Sequence, residues 1–69
     1  MEKEIIDLSV KNPYSVFEID QIYTKCRTMY WPKEKALSKT QDILNTASEF
    51  AISPIDAYWM QFEIDFTIL

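Results

Sequence analysis

This chain of 69 residues contains no glycine. Glycine takes left-handed backbone, tight hairpin turns and phosphate-cradling loops more readily than any other residue. Ordinary usage of about 7% would place several in a chain of this length. Glycine-rich nucleotide loops are therefore excluded, and helices joined by short turns are favoured. The three prolines, Pro13, Pro32 and Pro54, become the main punctuation.

Each proline reads as a helix start. Asn12-Pro13 offers a capping side chain followed by proline at the first helical position, and Ser15 with Glu18 offers a second, overlapping capping box. Val16, Ile19, Tyr23, Cys26 and Tyr30 then recur at helical spacing, with Phe17 and Ile22 widening the stripe and Glu18, Gln21 and Lys25 on the wet face. Pro32 disfavours helical geometry at Trp31, so this first helix ends near Met29 or Tyr30. A second helix follows from Pro32, burying Leu37, Thr40, Ile43, Leu44, Ala47, Phe50 and Ala51. Ser53-Pro54-Ile55-Asp56 is the cleanest start of all, with serine as cap and aspartate beside the positive helix end.

The two chain ends are ambiguous. Residues 4–10 alternate apolar and polar from Ile6 onward, which fits a short strand, with a frayed helical turn as the competing reading. Phe62 to Ile68 also alternate, although Ile55, Tyr58, Trp59, Phe62, Phe66 and Leu69 fit a helical stripe. The expectation is a mainly α fold: one compact three-helix domain over residues 1–69. A two-stranded pairing of the N- and C-terminal segments is the variant.

Composition bounds the rest. An apolar content of 48% is far too high for disorder. The charge of −4 is uneven: residues 25–39 carry Lys25, Arg27, Lys33, Lys35 and Lys39 against Glu34, while residues 40–69 carry five acids and no base. Cys26 stands alone, so no intrachain disulfide framework exists and a reducing compartment fits. Met1-Glu2-Lys3-Glu4 is acidic where a secretory signal is basic. No stretch approaches the roughly 20 apolar residues of a membrane span. A cytoplasmic protein with no membrane association is expected. Residues with AT-rich codons (Phe, Tyr, Met, Ile, Asn, Lys) number 28 against 8 for Gly, Ala, Arg and Pro, which points to an AT-rich genome such as that of many bacteria, phages or mobile elements.

No catalytic constellation stands out. Histidine is absent, which removes Ser-His and Cys-His dyads and the commonest metal ligand. Cys26 sits on the inner stripe and reads as a buried small hydrophobe. The carboxylates read as solvated faces. No cofactor, no metal and no enzymatic activity are expected.

Three binding functions remain. Bases and aromatics interleave over residues 25–39 and would suit nucleic acid. However, a recognition helix at 54–66 would carry Asp56, Glu63 and Asp65 with no Lys or Arg, which phosphate repels. Acidic mimicry of nucleic acid is a further alternative, but the acids are dispersed. The favoured reading is a non-catalytic protein–protein interaction module, working alone or as a small homo-oligomer, of the accessory kind found in phages and mobile elements. Interfaces are enriched in Tyr, Trp, Met and Arg, and ten aromatics are many for so small a domain. The candidate contact residues are Arg27, Tyr30, Trp31 and Lys33, with Trp59 as a second position.

Overall fold

The computed structural model describes residues 2–29 and 32–68, with side chains as far as Gln61. The described chain forms four helices: α1 (Lys3–Lys11), α2 (Val16–Thr28), α3 (Lys33–Phe50) and α4 (Pro54–Ile68). The mainly α expectation holds, with one helix more than the sequence suggested.

The extra helix is the segment whose alternation fitted a strand. Ile5 and Leu8 lie three residues apart and turn inward together, Ile5 fully buried and Leu8 packed against the core. Ile6 and Val10, four apart, share an exposed face. A helical spacing of two pairs thus mimics alternation when read linearly. Among the described residues there is no strand, and the backbone of residues 62–68 is helical. The terminal strand pairing is therefore not formed there.

Asn12 explains why α2 starts late. Its side chain donates to the Leu8 carbonyl at 2.8 Å, so it closes α1 instead of opening α2. The overlapping signal takes over: Ser15 Oγ accepts from the Glu18 amide at 3.2 Å and donates to Glu18 Oε1. Ser53 caps α4 in the expected way, accepting from the Asp56 amide. Pro32 precedes α3 as its cap residue with extended backbone, one position earlier than the first-turn role expected.

Helix α2 is the hub, packing against α1, α3 and α4, while α3 also packs on α4. The core joins Ile5, Ile19, Ile22, Tyr23, Cys26, Ala36, Ile43, Leu44, Ala47, Ala57 and Tyr58, with Thr40 its buried polar member. Thr40 Oγ1 donates to the Ala36 carbonyl at 2.7 Å, which satisfies it inside the apolar layer. Among the described residues no buried side-chain nitrogen or oxygen lacks a partner.

The domain measures 33 × 28 × 14 Å along its principal axes. Two packed helices, with axes about 8–10 Å apart, span about that shortest dimension. Its accessible surface of 4698 Å² is close to the roughly 4,500 Å² of a folded monomer of this mass. The surface is thus ordinary for a folded chain of this mass.

Three residues assigned to the inner stripes lie outside. Phe17 is 77% exposed, because 100° per residue places it about 200° from Ile19, across the helix. Phe50 is 57% exposed at the last turn of α3, beyond the stretch that other helices cover. Ala51 is exposed as well and closes α3 with left-handed backbone.

Candidate functional site

The candidate contact residues fall into two neighbourhoods. The first lies where α1 meets the start of α3. Lys33 Nζ is 3.2 Å from Glu4 Oε1 and 3.9 Å from Glu2 Oε2. This pairing raises the Lys33 pKa. Glu4 is lowered, first by its backbone hydrogen bond at the helix start and second by Lys33. Burial and then the Glu2 carboxylate raise the Tyr23 hydroxyl, while Arg27 and Lys33 act weakly in the opposite sense. Arg27 itself is exposed in the last turn of α2, where a cation complements the negative helix end. Tyr30 and Trp31, the aromatic centre of the expected patch, lie outside the described residues.

The second neighbourhood is formed by α2 and α4. Tyr58 and Trp59 meet edge to face, with ring centroids 5.2 Å apart and planes at 74°. Lys25 Nζ stands 5.6 Å from the Tyr58 centroid and 5.4 Å from that of Trp59, so one ammonium is held over two rings. One turn further along α2, Met29 Sδ accepts a hydrogen bond from Tyr58 Oη at 3.7 Å. Tyr58 is buried, whereas Trp59 is 49% exposed and Met29 is also exposed. Burial raises the Tyr58 hydroxyl, with a smaller contribution from Cys26.

Lys25 and Met29 were not among the contact residues expected from sequence. Their signal was present in the i, i+4 spacing on α2, but nothing in the sequence placed α4 beside them. Trp59 is thus separated from Lys33 by its partners, with Lys25 its cationic neighbour instead.

Cys26 lies fully buried between α2 and α3, its Sγ 3.9 Å from Thr40 Oγ1. Burial raises its pKa, against smaller lowering effects of Thr40 and Lys39. A neutral, shielded thiol packs well and reacts poorly. No grouping of three or more potential metal ligands occurs among the described residues, and no described helix is long and apolar enough to cross a membrane.

The chain matches no protein-family model, no curated protein and no solved structure. Geometry and chemistry alone carry the functional argument.

Proposed function

We propose that the protein is a non-catalytic protein–protein interaction module, acting in the cytoplasm alone or as a small homo-oligomer. One observation carries the reading. Ile6, Val10, Phe17, Met29, Phe50 and Trp59 are exposed on a domain whose total surface is ordinary for its mass. Loose folding does not account for them, and covering such side chains is the usual gain of association. The pairing of Lys33 with Glu2 and Glu4 supports a protein partner over nucleic acid, because it withdraws one cation from the basic segment. The lone reduced cysteine supports the cytoplasmic setting. The bias toward residues with AT-rich codons supports a phage or mobile-element accessory role.

The test is affinity capture from the source cell or its host with mass-spectrometric identification, beside light scattering of the purified protein. Specific capture, or a defined oligomer, weakened by Trp59→Ala or Arg27→Glu in a folded protein, is expected. A strictly monomeric protein that captures nothing overturns the reading.

A further inference from the structure

We infer that the Lys25–Met29–Trp59 surface docks an acidic, amphipathic protein segment, placing a carboxylate on Lys25 and an apolar side chain against Met29 and Trp59. The inference rests on the interaction-module reading and names its partner class. Lys25 is half-buried, its ammonium held over Tyr58 and Trp59. Among the described residues no carboxylate lies within ion-pair distance of it. A cation already held over two rings costs little further ordering when an anion arrives. The apolar component is beside it: Met29 adapts its shape to a partner side chain, and Trp59 is of the residue type most enriched at binding hot spots.

Charge selects among occupants. Two copies of this face meeting symmetrically would offer Lys25 only Met29, Tyr58, Trp59 and a second Lys25, with no carboxylate among them. A nucleic acid needs several cations to neutralise successive phosphates, and the contacts that define this face bring in one cation, Lys25. A segment with one well-placed carboxylate next to an aliphatic or aromatic residue satisfies both halves of the site.

The experiment selects binders from a displayed library of random peptides with the intact chain, then measures affinities by titration. Enrichment of Asp or Glu beside Leu, Ile or Phe is expected. Lys25→Glu should weaken the selected peptide about tenfold or more, and exchanging the peptide's acid for lysine should restore binding to that variant. Circular dichroism verifies that Lys25→Glu remains folded. Because Trp59→Ala removes more packing, amide and indole shifts at Lys25, Met29 and Trp59 in the unmodified protein provide the second readout. Enriched peptides without acids, binding indifferent to Lys25→Glu, or shifts confined elsewhere overturn this site while leaving an interaction module standing. Tighter binding of a DNA oligonucleotide, or displacement of peptide by self-association through this face, overturns the partner class. A library that yields no binder, together with failed capture from cells, overturns both readings.

Discussion

Asn12 and Gln41 exchange a reciprocal pair of amide hydrogen bonds. Asn12 Nδ2 donates to Gln41 Oε1 at 3.1 Å and Gln41 Nε2 donates to Asn12 Oδ1 at 3.0 Å. The pair joins the end of α1 to the middle of α3, and Asn45 extends it by accepting from Gln41 at 2.9 Å. Asn12 also caps α1 through Leu8, so one side chain stops a helix and fixes where it docks.

Replacing either amide leaves the other partly buried without its partner. Asn12→Ala or Gln41→Ala should each cost about 1 kcal/mol, read from denaturant unfolding. The double variant should cost less than the sum by at least about 0.5 kcal/mol. Strict additivity would show that the pair contributes no coupling.

Ala51 has φ 54° and ψ 44°, in the left-handed region that glycine ordinarily fills. The Ile52 amide bonds the Ala47 carbonyl at 3.0 Å and the Ala51 amide the Ser48 carbonyl at 3.4 Å, the pattern of a Schellman closure. The methyl group opposes this backbone, so Ala51→Gly should stabilise the fold by about 0.5–1 kcal/mol, after allowing for the looser unfolded chain. A lower denaturation midpoint would show that no strain is stored there.

This position shows where a sequence reading stops. The absence of glycine favoured helices joined by short turns, but a left-handed residue remained necessary and fell to alanine, which carries no turn signature. Ser15 and Ser53 were legible because a cap is a local event, satisfied within three residues. The first helix was not, because its inward pair is only Ile5 and Leu8, and the choice between helix and strand there depends on α2 lying alongside. The Lys25–Trp59 contact was hidden for the same reason: it spans α2 and α4, and only the packing of α4 against α2 brings the two residues together.

The Lys33–Glu4 pair ties the first turn of α1 to α3, and its pH response has a defined sign. Glu4 is lowered in the folded state, so its contribution is present above the ordinary carboxylate range and fades as pH falls through the folded value. Both side chains are well exposed, so the effect is modest and screened by salt. Hydrogen exchange of the α1 amides should quicken in acid, and Lys33→Glu should quicken it at neutral pH by placing three acids together. Lys33→Glu combined with Glu4→Lys should recover protection. Unchanged exchange in Lys33→Glu would show that apolar packing alone holds α1.

At the alkaline end Cys26, Tyr23 and Tyr58 act together. Burial raises all three, so the unfolded chain loses these protons first and stability declines as pH rises above about 8.5, the ordinary thiol value. Cys26→Ala should flatten the first part of that decline and leave the later tyrosine part. Native thiol labelling should also run about tenfold or more slower than in the denatured chain, because reaction awaits an opening. Rapid native labelling would mean that the thiol is reachable from the folded state.

Phe17 and Phe50 separate association from folding. Both are large, apolar and mostly exposed, so they contribute little to the core and much to any contact that covers them. Phe17→Ser and Phe50→Ser should each change unfolding free energy by no more than about 0.5 kcal/mol. If the protein assembles with itself through these faces, the same variants should shift light-scattering mass toward the monomer and raise solubility. If it engages another protein there, capture should weaken while the folded state persists. A loss of stability of several kcal/mol would instead show that these rings cover core surface, and would remove them from the interaction reading.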